Sequence, residues 1–251
     1  MPFTVNRRMS AASAAVSRRR NTIHTITEVD VTEPRRLIRE NAERTGERLS
    51  FTAYVVTCFA RAIAENPYLN SMRKGRRLIL LDDVTIAVLV ERTIDGEQIP
   101  EPFGIPAADK KSYRQVHDEI RAAQRESQTG LGGLSGATWV RFIPSCLFRM
   151  FITAAAHSVY MARRYGVVAV TAVGMFSDGP LWLVPLSAAT VAVAVGGIVE
   201  RTVVVEGLTQ TREHLCLTIS FDHDIVDGAP AARFTKRFAE LLASGEVIRA
   251  G

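Results

Sequence analysis

Residues 220–228 read Ser-Phe-Asp-His-Asp-Ile-Val-Asp-Gly, and they hold the chain's clearest chemical signal. His223 is followed four positions on by Asp227, with Gly228 directly behind, an HxxxDG spacing. Imidazole titrates near neutrality, so His223 at a cleft rim would take a proton from a thiol or hydroxyl at ordinary pH. The preceding run, residues 215–219, alternates and predicts a half-buried strand that delivers the histidine to its end. Asp227-Gly228 then punctuates the chain, and Ala229-Pro230 opens a new element. Taken alone, the spacing also fits a surface histidine followed by an Asp-Gly turn.

The flanking residues say more. Asp222-His223-Asp224-Ile225-Val226-Asp227-Gly228, followed by Ala229, Ala231, Ala232 and Phe234, resembles the active-site signature of one family. It is the catalytic domain of 2-oxo acid dehydrogenase acyltransferases (dihydrolipoamide acyltransferases), which carries DHRxxDG and an Ala-rich helix. Chloramphenicol acetyltransferase shares the HxxxDG core. Glu28-Val29-Asp30-Val31-Thr32 and Leu49-Ser50-Phe51-Thr52 are similar to the family's EVDVT and LSFT. Asn66-Pro67-Tyr68-Leu69-Asn70, Ala108-Asp109-Lys110-Lys111-Ser112 and Val173-Gly174-Met175-Phe176 resemble its YPELN, DADKKS and LGMF. The matches keep the family's order across residues 7–242, with one break at residues 130–166.

The resemblance implies an α/β fold of the chloramphenicol-acetyltransferase type, a two-layer sandwich with a mixed β-sheet flanked by helices, assembled as a homotrimer. It implies acyl transfer between coenzyme A and a thiol (dihydrolipoamide-like) or hydroxyl acceptor, at a site between subunits. His223 would be the general base. Thr171 falls where the family carries the hydroxyl that stabilises the oxyanion; by residue type alone it is a plain strand threonine. Asp227 would be structural, holding the loop through an arginine, with Arg8 or Arg7 as partner, while the histidine is oriented by its own backbone. Gly228 would let the backbone turn away sharply. A lipoyl group would have to come in trans, on another protein. Asp224 stands where the dehydrogenase-complex enzymes have arginine, which crowds His223 between two acids. Together with the altered 130–166 stretch it favours an alternative, a non-catalytic trimeric structural or regulatory homologue.

At 251 residues, 47% hydrophobic and 23% charged, the chain suits one large globular domain or two small ones, not a disordered polymer, and the resemblance implies a single acyltransferase catalytic domain over residues 1–251. No lipoyl or subunit-binding domain is legible. Net charge is +5, and Arg7, Arg8, Arg18, Arg19 and Arg20 all precede the first acid, Glu28. Residues 1–24 fit a basic helical segment packed on the domain or facing an anionic substrate; nucleic acid, membrane and organelle targeting are the competing readings. Cys58, Cys146 and Cys216 lack CxxC spacing, which suggests reduced thiols in a cytoplasmic protein and no zinc site. His24, His117, His157 and His214 show no metal-ligand spacing.

Several elements must position these groups. Helices are expected over residues 5–20, 34–45 (capped by Thr32, with Pro34 in its first turn), 49–65 and 112–125. Strands are expected over residues 25–31, 78–81 and 84–90. Residues 130–136 read as a glycine-rich linker, and residues 139–164 as an apolar-basic insertion. That insertion would cover the domain or line a substrate tunnel, or else lie on a surface as an amphipathic helix. Residues 181–199 approach transmembrane length without charge, yet Pro185, valine alternation and Gly196-Gly197 predict buried strand. The C-terminal Val247-Ile248, flanked by charges, is too small an apolar anchor for a cage, so an isolated trimer is expected.

Overall fold

A computed structural model describes residues 4–94, 97–125 and 145–249. Helix α1 (Val5–Ser17) starts at Thr4, whose hydroxyl accepts the Arg7 N–H at 3.3 Å. Strand β1 (Thr22–Asp30) leads into α2 (Thr32–Thr45), which Gly46 ends in the left-handed region at φ 73°. The expected Thr32 cap is corrected. Asp30 accepts the Thr32 N–H at 2.9 Å, and the Thr32 hydroxyl instead accepts the Glu213 N–H at 2.8 Å.

Helix α3 (Phe51–Ala64) is buried almost all round. A hairpin of β2 (Ser71–Lys74) and β3 (Arg77–Leu80) follows, then β4 (Ile86–Ile94), β5 (Glu97–Ile105) and α4 (Tyr113–Arg125). Next come α5 (Ser145–Ala156) and α6 (Val159–Tyr165), then β6 (Val168–Ala172), β7 (Val191–Val205), β8 (Leu208–Asp222), α7 (Gly228–Ser244) and α8 (Glu246–Arg249). The six-stranded sheet runs β1-β8-β7-β6-β4-β5. Pairs β4–β6 and β6–β7 are parallel and the rest antiparallel, so the sheet is mixed, as expected, with helices packed against it.

Side-chain parity divides the sheet into two faces. Val191, Val193 and Val195 of β7 and Leu217, Ile219 and Phe221 of β8 enter the main core under the helices. There Phe59 of α3 meets Phe234 and Phe238 of α7 at 6.1 and 5.4 Å, and Phe221 meets Phe234 edge-on at 5.8 Å. The other face carries smaller or polar residues: Ala192, Ala194, Cys216, Thr218 and Ser220. Residues 179–182 lie on it. The Gly197 N–H donates to the Leu181 carbonyl at 3.0 Å, and the Trp182 indole donates to the Thr27 carbonyl at 3.3 Å. A Cβ on Gly196 would stand 1.9 Å from the Leu181 carbonyl oxygen, so only glycine fits.

Two expectations change here. The strand at residues 215–219 is buried on both faces, not half-buried, because residues 179–182 cover what α7 does not. Residues 181–199 are not one strand. Their first part crosses the sheet as irregular chain with Val184 and Leu186 exposed, and β7 begins at Val191. Within β7 the two glycines sit at a bulge between Val195 and Ile198 instead of ending the strand.

Of the expected insertion, residues 130–144 lie outside the described residues. The remainder forms α5 and α6: Val159 and Ala162 of α6 reach the core, while α5 lies on α1. No helix among the described residues is long and apolar enough to cross a membrane.

Candidate active site at the end of strand β8

Strand β8 ends at Asp222, and the chain turns through His223 to Ile225 before α7. The turn is held by backbone bonds. The Ile225 and Val226 N–H groups both donate to the Asp222 carbonyl at 3.0 Å, and the His223 N–H donates to the Asn21 carbonyl at 2.6 Å. His223 is thereby fixed beside the start of β1, with 45% of its side chain exposed.

The acids around it are sorted by their partners. Asp222 is fully buried, and its carboxylate pairs with Arg20 from the α1–β1 turn. Asp224 accepts from the Asn21 side-chain amide at 2.9 Å and from Arg73 of β2 at 2.5 Å. The Asn21 hydrogen bond, with the Arg73 and Arg20 charges behind it, holds the Asp224 carboxyl below the usual range. The two acids flanking His223 in sequence are therefore spent on other residues. Asp227 faces the imidazole instead: its Oδ1 lies 3.7 Å from His223 Nδ1, and its side chain is 85% exposed.

This arrangement corrects two expectations. The Arg8 guanidinium stacks 5.3 Å over the Phe148 ring, and the buried ion pair beneath the motif is Arg20 with Asp222, not Arg8 with Asp227. The reason is register. Thr22 pairs with Asp222, so the residues before β1 lie beside those after β8. Gly228 is not at a sharp turn either. It is the first residue of α7, its φ is outside the left-handed region, and a Cβ there would meet nothing within 4 Å.

Thr171 is half-buried on β6, on the sheet face opposite the main core. It pairs with Ala194 and, through β7, stands level with Thr218, five residues short of His223. At ~3.3 Å per residue and ~4.8 Å per strand, Thr171 and His223 of one chain are roughly 19 Å apart. The fold leaves His223 exposed and Thr171 half-buried, and does not bring them together. Sequence reading missed Arg20, Asn21 and Arg73; an antiparallel pairing of residues 22–30 with the motif strand would have pointed to the first two.

Glu47, His117 and Asp118 offer ligand atoms within 4.8 Å of one another, the one such cluster among the described residues. His117 Nδ1 accepts the Ser50 N–H at 2.9 Å, so the neutral ring carries its proton on Nε2 and has no free lone pair for a metal. His24 and His157 are likewise engaged, with the Ser220 hydroxyl and the Thr153 carbonyl, each at 2.8 Å.

Comparison with known proteins bears on the family and the fold. The model of the 2-oxoacid dehydrogenases acyltransferase catalytic domain matches residues 1–138 and 166–249, most of the chain. The chain belongs to this family. The lipoamide acyltransferase component of the branched-chain alpha-keto acid dehydrogenase complex of Bacillus subtilis (strain 168) is 27% identical over 228 residues, covering 88% of this chain and 46% of that protein. The chain thus spans about half the length of the curated relatives it matches. A probable dihydrolipoamide acetyltransferase from Listeria monocytogenes 4b F2365 superposes with TM-score 0.71 at 21% identity, covering 96% and 93% of the two chains. The cubic core of a pyruvate dehydrogenase multienzyme complex gives 0.73 at 20%, covering 99% and 93%. These structures share the acyltransferase core fold. The family match stops at residue 138 and resumes at 166, inside the break expected from sequence, and it leaves out α5 and α6.

Proposed function

We propose that this acyltransferase-family domain moves an acyl group between coenzyme A and a thiol or hydroxyl acceptor, at sites completed between copies of the chain. The observation that carries this reading is the separation of His223 from Thr171: one chain holds a base and a hydroxyl roughly 19 Å apart, too far to act on one carbonyl. A rotationally symmetric assembly that packs the Thr171 face of one copy against the His223 edge of the next would close the gap. The surface beyond Thr171 suits such a contact, since Met175, Phe176 and Leu186 are 71, 73 and 61% exposed. The trimer is the form of assembly that the family resemblance supplies.

The Asp227 carboxylate lies 3.7 Å from Nδ1, and closing to hydrogen-bond distance would favour the tautomer protonated there and leave Nε2 as the base. Nε2 takes the proton from the acceptor as its sulfur or oxygen attacks the thioester carbonyl. The Thr171 hydroxyl of the adjoining copy donates a hydrogen bond to the oxyanion formed. Collapse of the tetrahedral intermediate breaks the carbon–sulfur bond, and the imidazolium returns its proton to the departing coenzyme A sulfur. Coenzyme A is a substrate here, and its phosphates have cations to meet near the loop, with Arg73, Lys74, Arg76 and Arg77 exposed on the β2–β3 hairpin. A lipoyl arm, if it is the acceptor, comes from another protein.

The experiment is a panel of acyl-coenzyme A donors offered with a dihydrolipoamide-type dithiol or with hydroxyl acceptors, following free coenzyme A. Turnover with at least one pair is expected, and His223→Ala should lower it by ~10²–10⁴. Release by His223→Ala equal to that of the parent would overturn the assignment of the base.

A further inference from the structure

Helix α5 has two distinct sides. Phe148 is buried under the Arg8 guanidinium of α1. Leu147, Met150, Phe151 and Ala154 are exposed at i, i+3, i+4 and i+7, which makes them one apolar stripe. The first three are 46, 65 and 51% exposed, so the stripe stands proud of the surface. This helix lies in the stretch that the family pattern leaves unmatched, and no step of acyl transfer uses it.

The charge around the stripe has one sign. Residues 127–177 contain no aspartate or glutamate at all. Arg149 on α5, Arg163 and Arg164 at the end of α6, and Arg18 and Arg19 after α1 are all exposed. A cleft between α1 and α5 is lined by Ala15, Val16 and Met150 with Arg19 and Arg149, two guanidinia beside an apolar wall. A second copy of this face would set cation against cation with no acid on α1, α5 or α6 to intervene, which disfavours self-docking. The partner must be apolar at its centre and anionic at its rim. A convex helix fits into a protein only where a matching groove exists, whereas a lipid boundary accepts it without shape match and lets arginines reach the headgroups. We infer that the α1–α5 face docks on an anionic lipid surface, with the Leu147–Met150–Phe151 stripe in the acyl boundary and Arg19 and Arg149 on headgroup phosphates.

The test is co-sedimentation of the full chain with vesicles of pure phosphatidylcholine, or of phosphatidylcholine with about one third phosphatidylglycerol, at low and high salt. Binding to the anionic vesicles alone, weakened by salt, is expected. Arg19→Gln with Arg149→Gln should lower it by ~30-fold, from about fivefold per lost cation. Replacing Leu147, Met150 and Phe151 by serine should abolish it at either salt, with the melting temperature held because these side chains are already exposed. Equal binding to phosphatidylcholine, no binding to either vesicle, or indifference to both sets of substitutions would each overturn the proposal. So would a fall in assembly mass for the serine variant, which would make this face a contact between copies.

Discussion

Among the residues at the site, Asp227 has the role most changed by the structure. An aspartate locked to an arginine would support the loop, and its loss would cost stability. With 85% of its side chain exposed and its carboxylate 3.7 Å from His223 Nδ1, its proposed role is on the imidazole instead. Asp227→Asn is therefore expected to keep the melting temperature within about 2 °C, as surface substitutions do, while lowering turnover through the histidine tautomer. A loss of many degrees in calorimetry would restore the structural role. Gly228→Ala, in a first helical turn with space for a Cβ, should hold or slightly raise the melting temperature. A fall in turnover for this variant would then report substrate or a neighbouring copy passing over α7. His223 and its Asp-Gly were legible in sequence because they lie within six residues of one another. The Arg73–Asp224 and Arg20–Asp222 pairs were not, since each joins parts of the chain that only the folded sheet and hairpin bring together.

The elements under the site carry their own tests. Arg20 ties the α1–β1 turn to the end of β8 by pairing with a fully buried carboxylate. Arg20→Ala would leave the buried Asp222 carboxyl with the Asp224 N–H at 3.2 Å but without its guanidinium partner, at a cost of ~3 kcal/mol, and should lower the melting temperature by roughly 6–12 °C. At the α3–α4 junction, His117 accepts the N–H of Ser50, the residue before α3, and burial pushes its imidazole below its ordinary value, with the Arg121 charge acting the same way. The unfolded chain thus binds a proton at higher pH than the folded one. Stability from this histidine is complete above about pH 6.5 and falls as pH drops below it. Chemical denaturation across pH 5–8 should show that slope, and His117→Ala should flatten it. Elements with a single reading were legible: Pro34 and Gly46 mark α2, and Asn66-Pro67 ends α3. Residues 181–189 were misread because an uncharged run has the same composition whether it pairs in a sheet or lies across one. Only the backbone contacts of Gly196 and Gly197 decide between them.

At the scale of the whole molecule, one chain holds His223 and Thr171 roughly 19 Å apart, with the exposed apolar surface of Met175, Phe176 and Leu186 beyond Thr171. Val247 is buried and Ile248 packs on its own core, while Arg249 pairs with Glu33, so these residues are not offered to a neighbouring assembly. Light scattering should return about 83 kDa, three chains of 27.6 kDa, and a mass near that of a 24-chain cage would refute the isolated trimer. The most direct test of the shared site mixes two crippled chains. His223→Ala lacks the base, and Thr171→Val lacks the hydroxyl, worth ~10²–10³ in rate. Equal amounts of the two, dissociated and reassembled together, should recover about a quarter of parental turnover, because one site in four then draws an intact His223 from one copy and an intact Thr171 from the next. Turnover no greater than the average of the two variants measured alone would contradict a site built between copies.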